Sequence, residues 1–264
     1  VINGPWPIRD DGDLPTLIVR YWSMPNLRHL HTTMVAFLSY ITDAASNIYR
    51  KPLPLGYLKT LSTVQFLCCR RDAFANMPYL AELGLCETKE DYYRDRSCEC
   101  LKDLAYLHQL EALNCSFYKE IREARTISWD AFPSNLRKLT LSASNLPWED
   151  MTNVAKLPNL EVLKLKNYAF RGSTWKLTDE VFRCLKQLLI EKTDIVQWEA
   201  EDDHFPCLQF LILRSCEFLA DLSYVIGEIT TFERIELHYC NESDELSAQE
   251  FKDLIEDLAV IIRN

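Results

Sequence analysis

The chain has 264 residues, 48% of them hydrophobic, and a formal net charge of −10. It is long enough to bury a large core, and its acidic balance disfavours nucleic acid as a general partner, because phosphate binding needs a basic face. It holds no run of about 18 apolar residues with which to cross a bilayer. Its start, Val1-Ile2-Asn3-Gly4-Pro5-Trp6, has neither the basic opening nor the apolar stretch of a signal peptide. Without an initiator methionine, it reads as a piece of a longer protein.

One phrase recurs along the chain: leucine, or an apolar substitute, at positions 0, +3 and +5. Degenerate copies begin at Leu27, Leu61, Leu80, Leu110 and Leu185, with a further one at Leu14, and clear copies begin at Leu136, Leu160, Leu208 and Phe232. From Leu136 onward each copy starts roughly 24 residues after the last, within the roughly 20–29 of a leucine-rich repeat. The predicted fold class is therefore α/β, a leucine-rich-repeat solenoid or horseshoe of about nine to ten repeats forming one domain over 1–264. In each copy the residues at +3 and +5 point into the core from a short strand, and the strands stack in parallel into a concave sheet. Segments between them, such as 148–156 and 178–184, have room for one or two helical turns and form an irregular or short-helical convex side.

In chain order, His29 and His31 lie two apart on the first strand, but no third metal ligand is in view and they read as surface histidines. The long steps from Leu27 to Leu61 and from Leu80 to Leu110 predict insertions, one of them the polar run Lys89–Arg96. Pro25, Pro78, Pro133, Pro158 and Pro206 stand two or three residues before a copy and predict an extended lead-in to the strand. The acidic stretch 199–204 lacks the spacing of a calcium loop and reads as solvated. Ser247-Ala248-Gln249-Glu250 has the capping-box pattern, and Phe251, Leu254, Ile255, Leu258, Ile261 and Ile262 follow at helical spacing. A C-terminal capping helix is predicted over 247–264.

Ten cysteines include Cys69, Cys216 and Cys240, each eight residues after the first leucine of a copy, where a thiol can satisfy backbone groups of the adjoining turn. Neither zinc-knuckle nor paired-cap spacing is present, so free thiols in a reducing, cytoplasmic setting are expected. No phosphate loop, G-x-S-x-G or H-E-x-x-H occurs; catalytic, metal and cofactor residues are expected to be none. What remains is a surface. Positions +2, +4 and +6 of the later copies place Val162, Leu189, Phe210 and Ile212 together on the concave face, within reach of solvent, rimmed by Lys164, Lys166, Arg214 and Arg234. With Lys138, Glu236 and His238 they form the candidate protein-binding face.

Several phrases resemble plant intracellular nucleotide-binding leucine-rich-repeat immune receptors. Met24-Pro25-Asn26-Leu27-Arg28-His29-Leu30 and Leu58-Lys59-Thr60-Leu61 are similar to their first repeats. Phe205-Pro206-Cys207-Leu208 and Ile226-Gly227-Glu228-Ile229-Thr230-Thr231-Phe232 are similar to the closing repeats of the coiled-coil class, of the late-blight resistance type found in nightshades. The resemblance implies a cytoplasmic module of plant innate immunity that recognises a pathogen effector or a guarded or decoy host protein and restrains an intramolecular nucleotide-binding domain. ADP or ATP would be held by that domain, outside this chain, and the chain itself is expected to be monomeric. The alternative is the substrate-recognition repeats of an F-box-type ubiquitin ligase receptor.

Overall fold

The computed structural model describes residues 26–36, 55–66, 69, 71–93, 97–119, 124–178, 180–219, 229, 231–241, 245–246, 248–250, 252 and 258–263. The chain falls into two compact units, Val1–Tyr118 with Asp130–Asn135, and Lys119–Trp129 with Leu136–Asn264. Pro25 and the copy at Leu14 lie outside the described residues.

In the first unit, β1 (His29–Ala36), β2 (Thr60–Gln65), β3 (Glu82–Cys86) and β4 (Ala112–Ser116) pair in chain order and in parallel. The register sets Thr60 opposite both His29 and Glu82, so the second copy begins at Leu58 and not at Leu61. The step from Leu27 is correspondingly shorter, and the step on to Leu80 longer, than the leucine phrase predicts. The phase was hidden by a bulge. Thr63 takes φ 61°, the pairing shifts between Leu61 and Val64, and Val64 fills the core position that the repeat assigns one residue earlier. Leu58, Leu61 and Val64 are all essentially solvent-free.

On β3, a Cβ added to Gly84 would lie 3.2 Å from both Ser62 Cα and Thr63 N, so the missing side chain gives the bulged backbone its space. Replacing Gly84 by Val is expected to cost roughly 1–3 kcal/mol, read as a lowered urea midpoint; an unchanged midpoint would mean that the bulge yields. Beyond β3 the polar run contains a short helix, Lys89–Tyr93. Thr88 N–H donates to the Asp91 carboxylate at 2.8 Å and Asp91 N–H donates to Thr88 Oγ1 at 3.3 Å, a reciprocal cap that explains why Asp91 is buried.

The second unit contains β5 (Lys138–Ser142), β6 (Leu146–Pro147), β7 (Val162–Lys166), β8 (Phe170–Arg171), β9 (Thr174–Lys176), β10 (Gln187–Glu191), β11 (Gln197–Glu199), β12 (Phe210–Arg214), β13 (Arg234–His238) and β14 (Ala259–Arg263). Strands β5, β7, β10, β12, β13 and β14 pair in that order, all parallel and in unbroken register. From β5 to β13 the core pairs, among them Leu139 with Leu163 and Leu211 with Ile235, are fully buried, whereas Ile262 on β14 is exposed. Described helices span no more than six residues, so the class is a mostly parallel sheet with little helix.

Each rung is closed by the same hydrogen bonds. The carbonyls of Arg137, Glu161, Lys186 and Gln209 each accept two N–H groups from the following rung, as Arg137 O does from Glu161 and Val162. Directly after each strand one residue turns left-handed: Ala143, Asn167, Lys192, Ser215 and Tyr239, with φ between 50° and 58°. Each donates its N–H to the last carbonyl of the next strand, as Lys192 does to Arg214 O at 2.8 Å. None of these is glycine, so the ladder bonds offset the left-handed strain.

Two sequence expectations change. Pro78, Pro158 and Pro206 occupy turns closed by Leu80 N–H to Met77 O, Leu160 N–H to Leu157 O and Leu208 N–H to Phe205 O, at 3.2–3.4 Å. They form corners and not extended lead-ins, since the fixed backbone angle of proline, φ of about −65°, suits the second residue of a turn. The capping helix over 247–264 is also corrected. Positions 245–246, 248–250 and 252 are helical, but Ala259–Arg263 is strand β14, parallel to β13. The run Ala259-Val260-Ile261-Ile262 is largely β-branched, and Val260 and Ile262 pair with the core residues Ile235 and Leu237.

Between the long strands lie two small parallel pairs, β6 with β8 and β9 with β11. They carry a stack of indoles. Trp175 lies between Trp148 (5.1 Å, 14°) and Trp198 (4.6 Å, 9°), with the Phe205 ring perpendicular to both Trp175 and Trp198.

Candidate protein-binding face

Side-chain alternation along the six strands sends one set of residues to the core and the other to the opposite, outward face. The register assembles the rows expected from the sequence. Lys138, Val162, Gln187, Phe210 and Arg234 form one row. Thr140, Lys164, Leu189, Ile212 and Glu236 form the second, and Ser142, Lys166, Glu191, Arg214 and His238 the third.

Solvent access differs from the sequence reading. Leu189 is 4% exposed and Ile212 9%, so neither forms an open apolar patch; Val162 and Phe210 are half-buried. Leu189 stands between Lys164 and Ile212, and Ile212 between Leu189 and Glu236. At strand spacing, the alkyl stems of long neighbours cover a branched side chain. From β5 to β13 the accessible apolar surface on this face is Val162 and Phe210, joined on β14 by the partly exposed Ile261 opposite Glu236; the Arg234 guanidinium lies 5.8 Å from the Phe210 ring centre.

The charged groups are partly paired. Lys166 Nζ is 3.9 Å from Glu191, and Glu236 is shared at 3.4 Å by Arg234 and His238 Nε2, itself largely buried. Lys138 is exposed and Lys164 half-buried. Arg214 Nε is shielded from solvent without a hydrogen-bond acceptor. Arg263 extends the third row beyond His238. Sequence reasoning missed it because the copy containing β14 begins with Asp257, an acid where the phrase asks for leucine; Val260 and Ile262 at +3 and +5 were the available signal.

Chemistry-bearing residues elsewhere are tied into the scaffold. His29 Nδ1 lies 3.1 Å from Thr60 Oγ1, and His31 Nδ1 lies 3.2 Å from Ser62 Oγ. His204, in the acidic stretch, is buried: its Nδ1 accepts from Glu201 N–H at 2.7 Å while Nε2 lies 3.1 Å from Thr178 O. A carbonyl can only accept, so Nε2 carries the hydrogen. Among the described residues no group of three or more metal-ligating side chains gathers, and no helix is long and apolar enough to cross a membrane.

The nine described cysteines are free thiols. Cys216 Sγ donates to Ile190 O and Cys240 Sγ to Leu213 O, each at 3.6 Å, so each thiol satisfies a carbonyl of the preceding strand. Cys69 differs because its copy begins at Leu58, which removes it from the +8 position, and its thiol reaches Gln65 O, four residues back, at 3.8 Å. The neighbouring Cys216, through its side chain and its backbone, lowers the pKa of the Cys240 thiol to about 7, whereas burial pushes that of Cys115 up. Alkylation of native protein at a pH of about 7.5 is therefore expected to modify Cys240 well before Cys115. Titration after denaturation without reductant should find nearly all ten thiols reactive; most of them locked in disulfides would contradict the free-thiol assignment.

The second unit is thus a parallel sheet that presents one regular face of mixed charged and apolar side chains. The chain belongs with the plant late blight resistance proteins. It is 32% identical over 240 residues to a late blight resistance protein homolog of Solanum demissum, covering 88% of this chain and 17% of that protein. It is 30% identical over 252 residues to a second such homolog of the same species, covering 92% of this chain and 30% of that protein. It is 31% identical over 229 residues to late blight resistance protein R1-A, also of Solanum demissum, covering 84% of this chain and 16% of that protein. The chain thus spans 17% of the length of the first of these relatives. No protein-family model matches it.

Proposed function

We propose that this chain is the leucine-rich-repeat solenoid of a nucleotide-binding immune receptor, a non-enzymatic module whose concave face recognises a pathogen effector or a guarded host protein in the cytoplasm. In the resting receptor the same module restrains the nucleotide-binding domain, where ADP or ATP is held. The observation that carries this reading is the unbroken register from β5 to β14, which aligns Val162, Phe210 and the flanking cations in rows on one face of a resistance-protein homologue. Side chains presented at strand spacing from a rigid ladder suit recognition of a polypeptide surface. The relatives, all resistance proteins, do not favour the F-box alternative.

The test is Phe210→Ala in a full-length receptor carrying this region. Effector-triggered cell death, or resting autoactivity, should change at unaltered protein abundance. Wild-type behaviour in both would remove the concave face as the recognition surface and leave the polar run from Lys89 to Arg96 as the next candidate.

A further inference from the structure

We propose that the segment recognised by the outward face of the second unit is an acidic stretch of polypeptide with an aromatic or branched apolar residue among its carboxylates. The inference rests on the recognition role above and adds the chemistry of what is recognised. The chain as a whole carries −10, yet the three outward rows hold Lys138, Lys164, Lys166, Arg214, Arg234 and Arg263 against only Glu191 and Glu236. Charge is therefore segregated, and the face attracts anions while the remainder of the molecule repels them.

The local pairing sharpens this. Glu191 answers Lys166, and Glu236 answers Arg234. Lys138, Lys164 and Arg214 meet no carboxylate among the described residues, and Arg214 Nε is shielded from water with no acceptor. A buried donor in that state costs free energy until an acceptor reaches it, and a carboxylate is the strongest acceptor a polypeptide can supply. Val162 and Phe210 stand two strands apart in the first row, with Lys164 in the second row and Arg214 in the third. That spacing calls for an apolar side chain flanked by acids. A phosphate backbone fits less well, because Glu191 and Glu236 stand inside the cationic rows and would repel an evenly charged strand.

The experiment is fluorescence anisotropy on the full chain with three labelled probes: a short Glu/Asp-rich peptide containing one Phe, the same peptide with Gln and Asn for its acids, and a single-stranded DNA of similar length. The acidic peptide should bind about tenfold more tightly than its amide counterpart at low salt, and lose most of that advantage at about 1 M salt, where screening acts over about 3 Å. The pair Lys164→Glu with Arg214→Glu should weaken the acidic peptide by about tenfold or more with an unchanged urea midpoint. Equal binding of the two peptides, tighter binding of the DNA, or wild-type affinity in the charge-reversed protein would each overturn the proposal. In the full-length receptor, a response altered by Phe210→Ala but not by the charge reversals would sink the acidic-partner inference alone. A response altered by neither would remove the recognition role itself.

Discussion

Replacing Trp175 by Ala is expected to lower stability by about 3–5 kcal/mol, the range for emptying a large aromatic site in a core. Trp175 is fully buried and stacked on both faces, with Trp148 on one side and Trp198 on the other. In the register of β9 and β11 it stands directly opposite Trp198. Neighbouring rings do not readily close the space, since Trp148 is anchored by its Nε1–H to Gly172 O at 3.0 Å and Phe205, perpendicular to both Trp175 and Trp198, is itself stacked on Phe182. Trp175→Phe separates packing from hydrogen bonding. The Nε1–H of Trp175 is buried without an acceptor, so Phe keeps most of the stacking, discards an unpaired donor and should cost much less than Ala. Urea unfolding of the three proteins measures this. A loss below about 1 kcal/mol for the Ala variant would show that the stack does not support the second unit.

The second large effect is a contrast between adjacent residues on β12. Leu211→Ala should lose about 2–5 kcal/mol of stability, because Leu211 is fully buried and sits between Leu188 and Ile235. Phe210→Ala, one position along and half-buried on the other face, should leave the urea midpoint nearly unchanged. Its cost falls on the partner: losing an aromatic anchor is worth about 2 kcal/mol, roughly a 30-fold rise in Kd. Leu189 and Ile212 are unsuitable for this comparison even though they point outward, because their burial ties them to stability as well. If Phe210→Ala and Leu211→Ala destabilised the chain equally, the two faces of β12 would not be distinct.

Repetition makes most of the second unit legible in the sequence. Steps of about 24 residues carry one strand each, and period-two alternation within a strand sorts Lys164 from Leu165 and Phe210 from Leu211 without tertiary information. The same logic anticipated the thiols of Cys216 and Cys240 at backbone carbonyls. It failed where one residue broke the phrase. The extra residue at Thr63 displaced the second copy by three positions, and Asp257 at a leucine position let a helical period claim the segment that becomes β14.

The sequence by itself determined which residues share a strand and which face each one takes, because both follow from local periodicity. Tertiary structure alone decided how exposed those faces are and what lies across from them. The burial of Leu189 and Ile212, the shielded Nε of Arg214, the extension of the basic row to Arg263 and the stacking of Trp148, Trp175 and Trp198 all depend on neighbours a whole repeat away in the chain. Those neighbours are set by the register of whole rungs, and a short-range pattern reports the period of a rung but not the side chains that the next rung lays beside it.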